Sequence, residues 1–184
     1  MFCGSNSGDD RAYADAARTL GSAIAEAGHG LVFGGGHVGL MGIVADAALA
    51  AGGSVTGVMT EQLVEAEVAH TGLTRLEVVG SMHERKARMA ELSDGVIVLP
   101  GGFGTLDETF EIMTWNQLGL VAVPVVFLDV NGYFSELFAF MASSVRAGFV
   151  SQRHGALARR AVDVAEAMAL VVRPGDGYEP KWVS

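Results

Sequence analysis

The sequence contains almost no cysteine. Cys3 is the only one among 184 residues, so the chain can form no internal disulfide, and the cytoplasm, a reducing compartment, is the expected location. The first residues contain neither a basic segment nor an apolar run typical of a signal peptide. A small packed residue at the end of a first strand is the favoured interpretation of Cys3. A disulfide-stabilised secreted domain is excluded.

Positive charge is also scarce. Twelve Lys and Arg face 21 Asp and Glu, and the formal net charge of −9 argues against a protein that holds long nucleic acid. The longest stretch without ionisable side chains, residues 112–128, contains Asn116, Gly119 and Pro124, so no membrane span is predicted. Only 18% of the residues are charged while 50% are hydrophobic, so we expect copies of the chain to associate.

Motifs of several common enzyme classes are missing. No glycine turn is followed by the Gly-Lys-Ser/Thr of a triphosphate-binding loop, and the dinucleotide fingerprint and the Gly-x-Ser-x-Gly elbow are absent. The five histidines lack zinc-ligand spacing. Of two lysines, Lys181 lies in the tail and Lys86 in a basic cluster, which argues against a pyridoxal phosphate enzyme. We therefore predict no metal and no cofactor, and a ligand with one phosphate.

Glycine-bounded apolar runs alternate with alanine-rich helical stretches along the chain. This alternation predicts an α/β protein: one Rossmann-like doubly wound domain over residues 1–184, with a mainly parallel sheet flanked by helices. The predicted strands are 1–3, 31–33, 55–59, 76–79, 95–99, 123–128 and a short one near 158–162. The predicted helices are 10–27, 40–51, 82–92, 106–118, 134–147 and 164–171. Residues 60–73 fit neither period and are predicted to form the longest loop. The first strand lacks upstream sequence, so residue 1 need not be the natural start.

Three turns that follow strands are rich in small residues: residues 4–8, 34–36 and 101–105. In doubly wound folds, ligands bind outside the carboxyl ends of the strands. Glycines let backbone N–H groups approach a phosphate, and the following helix adds a positive dipole end. A single such turn is weak evidence, because tight connections also use glycine for steric reasons, and for residues 34–36 both interpretations are equally supported. Three turns on one sheet edge favour a small anionic ligand.

The acidic residues after the third turn have two interpretations. Thr105 and Glu108 have the spacing of a capping box, and spacing alone favours that role. If the same helix start holds a phosphate, Asp107 and Glu108 lie within one turn of an anion. Repulsion would then direct a carboxylate away from the phosphate, toward the sugar.

The densest basic cluster is residues 81–88. On a helix, Arg85 and Arg88 share a face and Glu84 precedes Arg88 by four residues, so an ordinary surface ion pair is the plain interpretation. This helix, however, also opens at the carboxyl end of a strand, beside the glycine turns. Arginine and lysine there would contact an anion.

The chain resembles the LOG (Lonely Guy) family of cytokinin riboside 5′-monophosphate phosphoribohydrolases, long mislabelled as lysine decarboxylases. The likeness rests on SMHERK at 81–86, PGGFGTLDE at 100–108 and TWNQLG at 114–119, and it extends over nearly the whole chain. It implies a Rossmann-like fold without dinucleotide or metal, and a homodimer, with larger homo-oligomers left open, whose active sites lie near the subunit interface. The implied activity is hydrolysis of a nucleoside 5′-monophosphate to free base and ribose 5-phosphate.

The resemblance also implies site residues. Arg85 and Glu108 correspond to the catalytic pair of the family. Its substrate-binding positions match Glu67, Arg85, Lys86, Gly101, Gly102, Phe103, Gly104, Thr105, Leu106, Asp107, Glu108 and Thr114. Further nucleotide contacts are expected at Ser5, Gly35, Gly36 and Met82. Asp107 stands where many members have Glu, a departure that bears only on fine substrate preference.

Cleavage of a base from a nucleotide passes through an oxocarbenium-like ribose, which needs a carboxylate near C1′. Glu108 is the candidate, to stabilise the cation, to activate water, or to do both in sequence. The Arg85 guanidinium stays charged, so its role is electrostatic. Two other classes stay open: a non-catalytic nucleotide-binding module, and a DNA-binding Rossmann protein of the recombination-mediator kind, which the net charge disfavours.

Overall fold

The computed structural model describes residues 1–66 and 68–173, and in them strands alternate with helices. The strands are β1 Leu31–Phe33, β2 Val55–Thr60, β3 Arg75–Val79, β4 Val96–Val98, β5 Val125–Leu128 and β6 Ala158–Ala161. The helices are α1 Arg11–Glu26, α2 Gly39–Ala50, α3 Glu61–Glu65, α4 Met82–Glu91, α5 Phe103–Leu118, α6 Ser135–Arg146, α7 Gln152–Gly155 and α8 Val164–Val171. No helix of the described residues is long and apolar enough to span a membrane.

The strands form two parallel three-stranded sheets, ordered β1-β2-β3 and β4-β5-β6. Residues 1–3 lie between β1 and β4: Phe2 bridges Val98, and the amino group of Met1 donates to the Val32 carbonyl at 2.6 Å. The predicted α/β fold with a mainly parallel sheet is confirmed. The predicted strand at residues 1–3 is present only as a single parallel bridge at Phe2. The Phe2 N–H donates to the Ile97 carbonyl at 3.1 Å, and the Leu99 N–H donates to the Phe2 carbonyl at 2.9 Å.

The core lies on both faces of the sheet, as the doubly wound pattern predicts. Alternate residues of a strand point to opposite faces, so Ile97 packs in a cluster with Leu20 of α1. Val98 belongs to the other cluster, with Ile112 of α5. Helices α1, α2 and α8 cover one face and α4, α5 and α6 the other.

The elements differ from the prediction at four places, one of which is helix α7 Gln152–Gly155, where no helix was predicted. Helix α5 begins at Phe103 rather than at residue 106, because Gly102 is its N-cap. The predicted loop at residues 60–73 contains α3 and a bridge from Ala69 to Gly36. A short 3-10 turn, Val130–Gly132, follows β5 and was not predicted.

Candidate active site

The carboxyl ends of the strands open into a cavity of about 540 Å³. Its lining consists of three groups: residues 3–8 and 100–105, the ionic side chains Arg85 and Glu108, and Tyr13, Leu40, Met41, Leu63, Met82 and Tyr133. A second cavity, of about 480 Å³, lies at the opposite ends of the strands and is lined by none of the predicted site residues. The chemistry-bearing side chains therefore gather at the carboxyl edge.

Arg85 is buried at the bottom of the first cavity. Its Nε donates to the Val58 carbonyl at 2.9 Å, and its Nη2 donates to the Gly34 carbonyl at 3.2 Å. Its Nη1 lies 3.3 Å from Oε1 of Glu108. The guanidinium is thus held by the ends of two strands and presents one edge to a carboxylate.

Glu108 lies in the second turn of α5, on the face that points to the cavity. Its side chain is 14% exposed. Burial raises the pKa of Glu108 above that of an ordinary glutamate, although the charge of Arg85 acts in the opposite direction. A carboxylate whose pKa is raised toward neutrality is suited to take up and release a proton.

The capping-box interpretation of Glu108 is wrong. Gly102, not Thr105, is the N-cap of α5, no side chain caps the helix, and Glu108 contacts Arg85 instead. The first N–H groups of a helix have no partner within it, so this start offers free donors and a positive dipole end to an anion.

The glycines at this helix start are not required by packing. A Cβ added to Gly102 or Gly104 would meet no atom within 4 Å. Gly101 differs, since its Cβ would lie 2.2 Å from Oγ1 of Thr105. The space beside Gly102 and Gly104 is therefore open for a ligand to approach the backbone closely.

The predicted residues divide into two groups. Nine line the cavity: Ser5, Met82, Arg85, Gly101, Gly102, Phe103, Gly104, Thr105 and Glu108. Six do not line it: Gly35, Gly36, Lys86, Leu106, Asp107 and Thr114. Glu67 lies outside the described residues.

The residues away from the cavity have other neighbours in the single chain. Gly35, with φ +80°, packs on Met59, next to the Gly34 carbonyl that accepts from Arg85. Lys86 of α4 reaches the outer face of α5, where its Nζ lies 3.1 Å from the Asp107 carboxylate and 3.0 Å from the Glu111 carboxylate. Residues 34–36 thus support Arg85, and Lys86 bridges α4 to α5.

The plain interpretation of the basic cluster is wrong for Glu84. Its carboxylate accepts from the Gly80 N–H at 2.9 Å. Arg88 pairs instead with Glu77 at 2.7 Å and with Glu91 at 2.9 Å. Arg88 therefore ties α4 to β3, which leaves Arg85 as the arginine of this helix that enters the cavity.

Several lining residues were missed in the sequence. Tyr133 follows the 3-10 turn after β5, where the Asn131-Gly132 pair signals a turn at a strand's carboxyl end. Tyr13 lies in the first turn of α1 and carries no comparable signal. Cys3 also lines the cavity, but burial raises the pKa of its thiol to about 12, so the thiol is protonated and is not a nucleophile.

Comparison with known proteins places this architecture in a family. A family model described as "possible lysine decarboxylase" matches residues 41–171. Cytokinin riboside 5′-monophosphate phosphoribohydrolase LOG7 of Arabidopsis thaliana is 41% identical over 182 residues, covering 99% of this chain and 82% of the relative. A cytokinin riboside 5′-monophosphate phosphoribohydrolase of Rhodococcoides fascians is 43% identical, covering 95% and 88%. The chain belongs to the LOG family.

Solved structures show the LOG-family fold in other proteins. The Moco carrier protein from Chlamydomonas reinhardtii superposes with a TM-score of 0.68 at 26% identity, covering 91% of this chain and 90% of that one. The molybdenum cofactor binding protein of Rippkaea orientalis has a TM-score of 0.69 at 22% identity, covering 92% and 91%, and shows the fold alone. This LOG-family chain therefore shares its scaffold with proteins whose names describe carriage or binding of a cofactor.

Proposed function

We propose that this LOG-family chain hydrolyses the N-glycosidic bond of a nucleoside 5′-monophosphate. The expected substrates are cytokinin riboside 5′-monophosphates and AMP, and the products are the free base and ribose 5-phosphate. One observation carries the proposal: the buried Arg85–Glu108 pair faces the same cavity as an uncapped, glycine-lined helix start. Relatives with this activity in their names, 41% and 43% identical, support it.

The start of α5 suits the 5′-phosphate. Its free N–H groups and dipole favour one dianion, and Gly102 and Gly104 leave room for close approach. Glu108 lies five residues beyond Phe103, which is about 7.5 Å along a helix axis. A ribose ring can therefore span from the helix start to the carboxylate.

Glu108 is the residue that acts at C1′. As the C1′–N bond breaks, the ionised carboxylate stabilises the positive charge that develops on the ribose. A water molecule then forms the C1′–O bond and gives its proton to Glu108, while the departing base takes a proton from solvent. The raised pKa of Glu108 favours its acceptance of that proton.

Arg85 acts through its charge and its fixed position. Its two hydrogen bonds to strand-end carbonyls hold the guanidinium in place, so the pairing with Glu108 costs little reorganisation during the reaction. Since the guanidinium stays charged, it orients Glu108 and stabilises negative charge on the substrate.

The experiment removes each member of the Arg85–Glu108 pair in turn. Purified protein is incubated with AMP, isopentenyladenosine monophosphate and isopentenyladenosine, and the released base is identified by chromatography. We expect base from the monophosphates, and loss of most turnover in Glu108→Gln and Arg85→Ala. Glu26→Gln is the matched control, because this exposed carboxylate lies at the end of α1 and lines neither the cavity nor the outer groove of α5.

Two outcomes would contradict the proposal. Undiminished release of base by a folded Glu108→Gln protein would remove Glu108 from the reaction. Binding of AMP by the wild-type protein without release of adenine would favour the non-catalytic nucleotide-binding module.

We propose that two copies associate through the outer faces of α5 and α6. Phe103 is 94% exposed at the start of α5, and Phe140 of α6 is 65% exposed. A groove on this side is lined by the apolar residues Phe103, Leu106, Phe110 and Trp115, together with Asp107, Glu111 and Thr114. Self-association would cover it and bring the outer residues of one α5 toward the cavity of the other copy.

Light scattering tests the association. We expect a particle of twice the 19.1 kDa of one chain, and a monomer for Phe140→Asp. Val162→Asp is the control. Val162 is also an exposed apolar residue, at 70%, but it lies between β6 and α8, on neither of the two helices of the proposed interface. A monomeric wild-type protein would contradict the proposal.

The lone cysteine supports a cytoplasmic location, which we also propose.

A further inference from the structure

The turn that follows β5 is held in an unusual backbone conformation. Asn131 has φ +53°, and it is the one non-glycine residue with positive φ in the described part of the chain. Gly132 follows with φ +75°. Such a conformation costs free energy for a non-glycine residue and persists where surrounding contacts enforce it.

Contacts on both sides enforce the conformation of this turn. Buried Asp129 accepts from the Phe134 N–H at 2.6 Å and pairs with Arg160 of β6. The Asn131 side chain donates to Asp10, the N-cap of α1, at 2.7 Å. The turn is therefore fixed to the sheet and to the helix across the cavity.

The turn places Tyr133 against the glycine-rich segment that follows β4. The Tyr133 hydroxyl donates to the Gly101 carbonyl at 2.7 Å. The ring stands edge-on to Tyr13, with centroids 5.7 Å apart, and the ring of Tyr13 lies against Gly8, where an added Cβ would come within 2.7 Å. Segments 4–8 and 100–105 are thus joined through two tyrosine rings.

Tyr133 has little role in the core. Its side chain lines the cavity and the residue is 44% exposed, whereas the neighbouring Phe134 is 1% exposed and packs in the core cluster. A phenylalanine would satisfy the ring contacts equally well. The hydroxyl has one partner in the described structure, the Gly101 carbonyl.

That hydrogen bond orients the first free donor of α5. In a trans peptide the C=O and the N–H point in opposite directions, so fixing the Gly101 carbonyl also fixes the Gly102 N–H. Neither glycine has a side chain to restrict this peptide unit otherwise. We propose that Tyr133 is a positioning residue, which holds the peptide between Gly101 and Gly102 in the orientation that binds the substrate phosphate.

This inference rests on the proposed phosphate site, and it is tested by binding as well as by turnover. Calorimetry measures the affinity of wild-type and Tyr133→Phe proteins for ribose 5-phosphate and for ribose. We expect the affinity for ribose 5-phosphate to fall about fivefold, the effect of one lost hydrogen bond, and ribose binding to stay the same. In turnover of AMP, KM should rise by the same factor while kcat changes little.

Thr19→Val provides the matched control. It removes a hydroxyl that donates to a backbone carbonyl, that of Asp15, at 2.9 Å on the exposed surface of α1. We expect it to leave both affinities unchanged. Equal loss for ribose and ribose 5-phosphate in Tyr133→Phe, or no loss for either, would overturn the positioning role. Failure of the wild-type protein to release base would refute the hydrolase proposal alone, since the binding comparison does not depend on turnover.

Discussion

Two glycine-rich turns of this chain are similar in sequence and differ in their surroundings. In the turn at residues 34–36, an added Cβ on Gly34 would lie 2.2 Å from Nη2 of Arg85, and one on Gly35 would lie 2.5 Å from Met59. In the turn at residues 101–104, an added Cβ on Gly102 or Gly104 would meet nothing. The first turn makes room for a side chain of the protein, and the second leaves room for a molecule from outside.

The difference separates two uses of glycine that a motif search treats alike. Gly34 permits the guanidinium of Arg85 to reach the Gly34 carbonyl, so it supports the Arg85–Glu108 pair indirectly. Gly104 lies in the first turn of α5, where alanine would be the better helix former, so packing and helix propensity both fail to explain it. Substitutions at these two positions should therefore act with opposite signs on stability.

Gly34→Ala is expected to have the larger effect. The added methyl group would lie 2.2 Å from Nη2 and would displace the guanidinium of Arg85 from its position beside Glu108. A displacement near 1 Å is expected to lower kcat/KM about 100-fold. Overpacking and the strained hydrogen bond should reduce the free energy of unfolding by about 1 kcal/mol. Steady-state kinetics and urea unfolding measure the two effects. Wild-type turnover in the folded variant would contradict this account of the turn.

Gly104→Ala is expected to stabilise the protein while weakening substrate binding. Alanine loses less backbone entropy in a helix, so the free energy of unfolding should rise by about 0.5 kcal/mol. The methyl group would occupy the space proposed for the phosphate, and KM for AMP should rise roughly tenfold, or about 1.4 kcal/mol. Thermal unfolding without ligand and the KM for AMP provide the measurements. A stabilised variant with unchanged KM would show that the phosphate binds elsewhere.

Much of the fold follows from the sequence because its signals are local. The runs at residues 31–33, 55–59 and 123–128 are short and rich in apolar residues, and each overlaps a strand of the structure. The start of α5 was misplaced by a local signal as well, since Thr105 and Glu108 match a capping box by spacing. Local spacing cannot reveal that Glu108 is attracted to an arginine on another helix.

The site itself depends on contacts between distant parts of the chain. Arg85 reaches Gly34 across 51 positions, and Asn131 reaches Asp10 across 121. Neither pair has a recognisable spacing, so the sequence left the role of residues 34–36 undecided and gave Tyr133 no role. The family resemblance supplied Arg85 and Glu108 as a pair, and the structure supplies the physical reason for the pairing.

The smallest expected effect concerns pH, and it links the two turns. Burial raises the pKa of Glu108, and the charge of Arg85 opposes that rise. If the ionised carboxylate is the active form, kcat/KM increases with pH through the pKa of Glu108. If Gly34→Ala weakens the contact between Arg85 and Glu108, the pKa of Glu108 should rise further and the acidic limb of the profile should shift to higher pH. Gly104→Ala leaves the ion pair in place and should leave the limb where it is. Profiles of kcat/KM for the three proteins test this, and an equal shift in both variants would mean that Gly34 does not act through Arg85.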